Sequence, residues 1–256
     1  MFSADRYSVR FRPPVRAVAA SALTVSFLLL AGCGGGGGGG STAAPSPSAT
    51  ANDFGCLSPA QAKAGSVTFP SSEGQDVEGF RTGTGTTALV LAHQADGDVC
   101  QWVPNALDLA KEGYTVLAVD SAGSEVPEIT AAATYLRGRG AKKVLLVGAS
   151  KGGTSVLSAA AEITPKVDAV VSLSAPGTYN GMDASSAVPT LTMPVFYMAA
   201  QDDTEFAEST KALSKATKKA AENDLHIVGG ANHGVSMLSD PANYAQVKAF
   251  LKKYGS

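Results

Sequence analysis

Histidine, cysteine and tryptophan are scarce in this chain of 256 residues, which contains three, three and one of them. Charge is also sparse, since 16% of the residues are charged and the formal net charge is −2. That balance excludes the basic surface typical of nucleic-acid binding. The hydrophobic fraction of 45% in turn excludes a wholly disordered chain. No repeat of 20–50 residues is visible, so a solenoid is excluded as well.

Charge is unevenly distributed, because residues 1–32 carry four arginines against Asp5 and the rest of the chain has a net charge of −5. The basic stretch precedes an apolar run over residues 17–30, which is shorter than the ~20 residues of a bilayer span. A basic flank, a short apolar core and small residues are typical of a secretory signal peptide. No Arg-Arg pair precedes the run, which favours the general secretory route over the twin-arginine route.

The segment Leu30-Ala31-Gly32-Cys33 looks like a bacterial lipobox, with Cys33 as the residue that is lipidated after cleavage. The alternative is a transmembrane anchor with an incidental cysteine. Seven glycines and a Ser/Pro-rich stretch follow, a composition that cannot bury a core and predicts a flexible tether. We therefore expect a lipoprotein signal peptide over 1–32, a tether over 33–52 and one folded domain over 53–256, exported, facing outward and held at the membrane only by the lipid.

With Cys33 lipidated, Cys56 and Cys100 remain as an even pair in an oxidising compartment, and we expect a disulfide between them. Two buried free thiols are the alternative. Metal binding is disfavoured because no histidine lies at ligand spacing from either cysteine, and no cofactor is expected.

Short apolar runs alternate with helical patterns along the folded part, which predicts a mostly parallel α/β sheet with helices on both faces. The predicted strands cover 87–92, 114–119, 143–147, 167–173, 194–199 and 225–228. The predicted helices cover about 100–112, 125–138, 151–163, 205–221 and 241–253. Two further runs, 66–69 and 76–81, have no helix between them and predict an antiparallel start to the sheet.

Sites in such sheets form beyond the carboxyl ends of the strands. After the strand over 143–147 comes Gly148-Ala149-Ser150-Lys151-Gly152, a Gly-x-Ser-x-Gly motif whose glycines permit a sharp turn from strand into helix. Asp202 and Asp203 follow another strand, and His233 lies in a glycine-rich loop after the last one. Of the other histidines, His226 lies within a strand and is interpreted as structural, and His93 as shaping the loop that it begins.

A serine, an acid and a histidine in this order resemble the α/β-hydrolase family over essentially all of residues 65–256. The segment from Leu89 to Gln94 is similar to the family's oxyanion loop, although Gln94 stands where a glycine is usual. The stretch from His93 to Trp102 resembles exported bacterial members, including lipoproteins, of the capless, dienelactone hydrolase-like kind. That resemblance favours Asp203 as the acid, with Asp202 as the alternative.

The resemblance implies a serine esterase in which Ser150 is the nucleophile, His233 the base and the aspartate its partner. Backbone N–H groups of Lys151 and Gln94 would stabilise the oxyanion. The interval of about 20 residues after Ser174 is too short for a cap domain, so we expect an open site for short to medium acyl esters, lined in part by Trp102 and by the side chains Tyr179 and Met182. A catalytically silent lipoprotein that binds a ligand or partner on the same scaffold is the alternative. A monomer with a small-molecule ester substrate and no nucleic-acid partner is expected.

The lipobox interpretation predicts that Cys33→Ser releases the domain into the medium, because the variant has no thiol to acylate. Fractionation of producing cells, with the wild type as the membrane-attached control, measures this. A variant that stays membrane-bound with its leader uncleaved would show instead that the apolar run is a transmembrane anchor.

Overall fold

The computed structural model describes residues 51–123 and 125–256. The expected signal peptide, Cys33 and nearly all of the tether lie outside the described residues. Within the part described, no helix is both long enough and apolar enough to cross a bilayer.

In the described residues, ten strands form one sheet of eight and a separate pair. They are β1 (Ser66–Pro70), β2 (Asp76–Thr82), β3 (Thr87–Ala92), β4 (Thr115–Asp120), β5 (Lys143–Ala149), β6 (Ala169–Leu173), β7 (Thr178–Tyr179), β8 (Met182–Asp183), β9 (Val195–Ala200) and β10 (Asn223–Val228). The large sheet has the order β1-β2-β4-β3-β5-β6-β9-β10, and β7 pairs with β8 alone. β2 is antiparallel to both β1 and β4, and every other pairing in the large sheet is parallel. The predicted fold class, including the antiparallel start, is therefore confirmed.

Seven α-helices accompany the strands in this part of the chain. They are α1 (Pro59–Gly65), α2 (Val103–Lys111), α3 (Glu125–Gly138), α4 (Lys151–Glu162), α5 (Ala184–Ala187), α6 (Thr204–Ala216) and α7 (Pro241–Gly255). Short 3₁₀ helices cover Val99–Gln101, Val188–Thr190 and Gly234–Ser239. The helix predicted over 100–112 is thus a 3₁₀ turn followed by α2, and α1 and α5 are additions to the prediction.

The predicted helix over 205–221 ends early, at Ala216. The side chain of Asn223 contacts this end of the helix, where its Nδ2 donates to the carbonyls of Ser214 and Thr217 at 2.7 and 3.2 Å. These bonds satisfy carbonyls that the end of a helix leaves without partners. The apolar pattern, which continues to Ala220, carried no sign of that side-chain contact.

Two apolar layers enclose the sheet. Along β3, Ala88, Val90 and Ala92 face the layer that includes residues of α3 and α4, whereas Leu89 and Leu91 face the layer that includes residues of α2 and α7. These five side chains are almost completely buried. Burial of one leucine contributes roughly 1.5–3 kcal/mol, so a continuous apolar run is stable only in a strand covered on both faces.

The register of the parallel strands brings the candidate residues to one edge of the sheet. Ala149 at the end of β5 pairs with Leu173, the last residue of β6, and Leu173 pairs with Met198 of β9. Ala200 at the end of β9 pairs with Val228 at the end of β10. The segments that carry Ser150, Asp203 and His233 therefore all leave the sheet at its carboxyl edge.

The expected disulfide is present between Cys56 and Cys100, with Cα atoms 5.9 Å apart. It joins the segment before α1 to the 3₁₀ turn Val99–Gln101, across 44 residues of chain. Because a cross-link of this span lowers the entropy of the unfolded chain, it stabilises the fold by about 4 kcal/mol in the chain-entropy model.

Replacement of both cysteines by serine is therefore expected to lower the free energy of unfolding by about 4 kcal/mol, and by no less than ~2 kcal/mol. Urea unfolding measures it, and the wild type kept reduced with dithiothreitol is the matched control, since it lacks the same cross-link. Equal unfolding midpoints for the oxidised wild type and the double variant would contradict the expected contribution.

Candidate active site

Ser150 stands on a strained turn between β5 and α4. Its backbone has φ 51° and ψ −119°, a positive φ that side-chain-bearing residues rarely adopt. Such a conformation costs on the order of 1–3 kcal/mol and persists only where the surroundings enforce it. The Ser150 N–H donates to the Leu173 carbonyl at 2.8 Å, which ties the turn to the end of the neighbouring strand β6.

The glycines of the motif are required by close backbone approach. A Cβ atom on Gly148 would lie 2.0 Å from the carbonyl oxygen of Gly152, and one on Gly152 would lie 2.3 Å from that of Ala92. Either contact is far inside van der Waals distance, so only glycine lets α4 start this close to β3 and β5. The turn thus presents Ser150 at the carboxyl edge of the sheet.

His233 and Asp203 form a close pair at the same edge. Nδ1 of His233 lies 2.7 Å from Oδ2 of Asp203, and both side chains are largely buried. The Phe206 ring packs edge-on against the imidazole, with ring centroids 4.2 Å apart. Asp202, the alternative acid, is exposed. A carboxylate on Nδ1 fixes the imidazole so that Nε2 is left as the nitrogen able to accept a proton.

The loop that carries His233 is docked beside the serine turn. The Gly234 N–H donates to Oγ of Ser174 at 3.2 Å, and the Val235 N–H donates to Oε1 of Gln94 at 2.8 Å. A Cβ on Gly234 would lie 3.3 Å from that of Ala149, the residue before Ser150. The structure therefore brings the loops of Ser150 and His233 together, with Asp203 bound to the imidazole.

The two N–H groups expected to stabilise the oxyanion differ in whether they already have an acceptor. The Lys151 N–H belongs to the first residue of α4, and such groups have no acceptor within the helix. The Gln94 N–H, in contrast, donates to Oε1 of Gln101 at 3.1 Å. The Gln94 N–H can donate to a substrate oxygen only if the Gln101 side chain first gives up this hydrogen bond. The Gln94 side chain points to the His233 loop. The sequence showed only that a glutamine stands where the family usually has glycine, and it gave no indication of this contact.

His93 braces the start of this loop as a neutral imidazole. Its Nε2 accepts the Ser121 N–H at 3.1 Å, which leaves Nδ1 to donate to the Gln94 carbonyl at 2.7 Å. Burial is the largest influence and lowers the pKa of His93 below its ordinary value, and the charge of Lys151 lowers it further, although the Gln94 bond opposes this. His226 lies in β10 and stacks on Phe196 with ring centroids 4.6 Å apart.

Lys151, for whose side chain the sequence suggested no role, forms a buried ion pair with Glu125. Nζ lies 2.9 Å from Oε1, and the two side chains are 9% and 7% exposed. Burial raises the pKa of the Glu125 carboxyl, and the lysine opposes that rise. The pair ties the first residue of α4 to the first residue of α3. The two residues are 26 positions apart, and no local sequence pattern indicates their contact.

A cavity of about 870 Å³ lies between α3, α4 and the β7–β8 hairpin. Its lining includes Met182 and several acidic side chains, and includes neither Ser150 nor His233. Trp102, expected at the site, is 1% exposed and packs in the core, because α2 starts there and covers the sheet. Tyr179 is half-buried in the hairpin. Ser150 therefore lies outside this cavity.

No cluster of three or more His, Cys, Asp or Glu side chains among the described residues is arranged to hold a metal ion. The chemistry offered at the carboxyl edge is that of a hydroxyl, an imidazole and a carboxylate.

The sheet order, the strained serine turn and the loops at its carboxyl edge define an α/β-hydrolase. Residues 119–253, more than half of the chain, match the family model of the dienelactone hydrolases, and the protein belongs to the dienelactone hydrolase family. It is a carboxylic ester hydrolase. Comparison with curated proteins gives no match.

Solved structures with this fold include several esterases. An esterase from Pyrococcus furiosus superposes with a TM-score of 0.65 at 17% identity, over 75% of this chain and 92% of that one. A dienelactone hydrolase from Anabaena variabilis gives 0.60 at 20% identity, over 74% and 94%. An esterase domain from a Rhodothermus marinus protein gives 0.61 at 19% identity, over 75% and 98%. At these identities the likeness establishes the fold.

The ion pair predicts that Lys151→Met lowers the free energy of unfolding at pH 8 by about 3–5 kcal/mol, because it leaves the Glu125 carboxylate buried without its partner. Protonation relieves that burial. Since the folded pKa of this carboxyl is raised, the loss should shrink as the pH falls from 8 to 5. Urea unfolding across that range measures both effects.

The matched control is Lys151→Met combined with Glu125→Gln, which removes both charges and should show little of this pH dependence. A single variant as stable as the wild type at pH 8 would mean that the pair contributes nothing to the fold.

Proposed function

We propose that this protein is a serine hydrolase that cleaves carboxylic esters of short to medium acyl chains through Ser150, His233 and Asp203. The observation that carries the proposal is the 2.7 Å contact between His233 Nδ1 and Asp203 Oδ2, on a loop docked beside the strained Ser150 turn. A structural histidine in an exposed loop would need neither the carboxylate nor that position.

In the proposed mechanism, the Ser150 hydroxyl oxygen attacks the ester carbonyl carbon while His233 Nε2 takes the hydroxyl proton. The carbonyl π electrons move to the oxygen, which becomes an oxyanion. Collapse of this intermediate breaks the bond to the alkoxy oxygen, and the imidazolium returns the proton to the departing alcohol. Water, activated by the same imidazole, then hydrolyses the acyl-serine and regenerates the hydroxyl.

Asp203 would hold the imidazole in the tautomer that has Nε2 free and would stabilise the imidazolium. The Lys151 N–H would donate to the oxyanion with the support of the α4 dipole. The Gln94 N–H would be the second donor after Gln101 Oε1 gives way to the substrate oxygen.

The proposed preference for short to medium acyl groups rests on the segment after β6. Residues 174–194 hold the β7–β8 hairpin, α5 and a 3₁₀ turn, which is too little chain for a cap domain. An uncapped site offers little enclosed apolar surface to a long acyl chain, and it also admits an ester exposed on a larger molecule.

We also propose that the enzyme is exported, lipid-anchored through Cys33 and active as a monomer. The support for the anchor is the basic and apolar leader ending in Leu30-Ala31-Gly32-Cys33. The Cys56–Cys100 disulfide agrees with export, because disulfides persist in oxidising compartments.

Three substitutions test the triad on p-nitrophenyl acetate and on labelling by a fluorophosphonate. Ser150→Ala should abolish labelling and lower kcat by about 10⁴-fold or more, and His233→Ala should cost nearly as much because the two act as a unit. Asp203→Asn should lower kcat about a thousandfold, since the histidine then loses the carboxylate that sets its tautomer.

Asp202→Asn is the matched control, because the same change at an exposed neighbouring carboxylate should leave kcat within about twofold of the wild type. Full activity in Ser150→Ala would refute the triad. A wild type that neither hydrolyses esters nor takes the label would favour a binding protein on this scaffold.

A further inference from the structure

We propose that Gln94 is a positioning residue for His233. Its side chain anchors the loop that carries the imidazole. The inference rests on the proposed function, because it takes His233 to be the base. Its basis is a hydrogen bond between two segments 141 residues apart, from the Val235 N–H to Oε1 of Gln94 at 2.8 Å. Val235 lies two residues after His233, so this bond holds the backbone next to the imidazole.

The hydrogen-bond pattern fixes which end of the Gln94 amide faces the loop. The Val235 N–H can only donate, so the Gln94 atom that faces it must be the carbonyl Oε1. The amide nitrogen Nε2 is then directed to Oδ1 of Asp96 at 3.4 Å. Gln101 has the same arrangement, with Nε2 3.4 Å from that oxygen and Oε1 on the Gln94 N–H. One carboxylate thus orients both amides.

A second acceptor holds the preceding residue of the loop. The Gly234 N–H donates to Oγ of Ser174, a fully buried residue at the end of β6. Gly234 has φ +57°, and a Cβ on it would lie 2.5 Å from Oε1 of Gln94. Glycine at 234 therefore allows the Gln94 side chain to reach Val235. The N–H groups of two successive loop residues are thus held by acceptors that follow two different strands, β6 and β3.

The segment before His233, Gly229-Gly230-Ala231-Asn232, contains two glycines with wide backbone freedom. It is held through the Gly230 carbonyl, which accepts the Asp202 N–H at 2.9 Å, three residues before the imidazole. Asp203 and the Phe206 ring hold the imidazole itself, and the anchored 234–235 backbone holds the chain that follows it. A general base must lie within hydrogen-bond reach of the proton it takes, and displacement by about 1 Å can cost up to ~100-fold in rate. Loss of the Gln94 anchor should therefore affect the chemical step.

The test is Gln94→Met, which keeps the length of the side chain and removes the acceptor. We expect kcat on p-nitrophenyl acetate to fall about tenfold, the effect of one lost hydrogen bond in the transition state, with KM within about twofold. The rate of fluorophosphonate labelling should fall by a similar factor, because it also requires the activated serine. Gln75→Met, the same change on an exposed turn, is the control and should match the wild type.

A double variant that restores the hydrogen bond distinguishes a positioning role of Gln94 from a general effect on packing. In Gln94→Glu combined with Asp96→Asn, a carboxylate oxygen accepts the Val235 N–H and the new asparagine amide donates to the other oxygen. This exchange should restore kcat to within about threefold of the wild type, whereas Gln94→Met does not recover.

A wild-type kcat in Gln94→Met would overturn the inference, as would a loss confined to KM or a failure of the exchange variant to recover. Ser150→Ala distinguishes these outcomes from failure of the proposed function. If Ser150→Ala abolishes hydrolysis while Gln94→Met is silent, the triad stands and the anchor does not. If Ser150→Ala is active, the proposed function itself is wrong.

Discussion

The close contact between the start of α4 and the ends of β3 and β5 is the constraint on which the rest of the structure depends. Gly152 approaches the Ala92 carbonyl so closely that no side chain fits between them. Ser150, directly before this helix, has a strained backbone, and the nearly complete burial of the first ten residues of α4 offsets the strain. A serine in a relaxed turn at this place would require α4 to move away from the sheet.

The remaining parts of the site reach the serine only because the sheet is in register. Ser174 follows β6, the neighbour of β5, and the segment with Asp203 follows β9, one strand further on. The His233 loop returns from the edge strand β10. The side-chain oxygens of Ser174 and Gln94 accept hydrogen bonds from two N–H groups of that loop and hold it. Each part is placed by a different strand, so the spacing of strands, about 4.8 Å, sets the scale of the site.

Local patterns were sufficient to predict that the serine, the aspartates and the histidine each follow a strand, and that the serine lies on a sharp turn. These features could be predicted because apolar runs, glycines and strand ends are neighbours in sequence. The Cys56–Cys100 disulfide was predictable for a different reason, since two cysteines remained after Cys33 was set aside. The Lys151–Glu125 pair and the Gln94 contact were not predictable, since each joins distant segments through side-chain geometry. Trp102 failed as a pocket residue because its burial depends on how α2 packs.

The disulfide has a consequence for the fidelity of oxidation. Cys33, Cys56 and Cys100 follow one another along the chain. If the chain is oxidised while it crosses a membrane, Cys33 and Cys56 are therefore the first two thiols able to form a disulfide. That incorrect link would close a shorter loop than the native one and leave Cys100 as an unpaired thiol. A thioether to lipid at Cys33 would remove the competing thiol before the domain folds. The proposed acylation of Cys33 would therefore also protect the correct pairing of the other two cysteines.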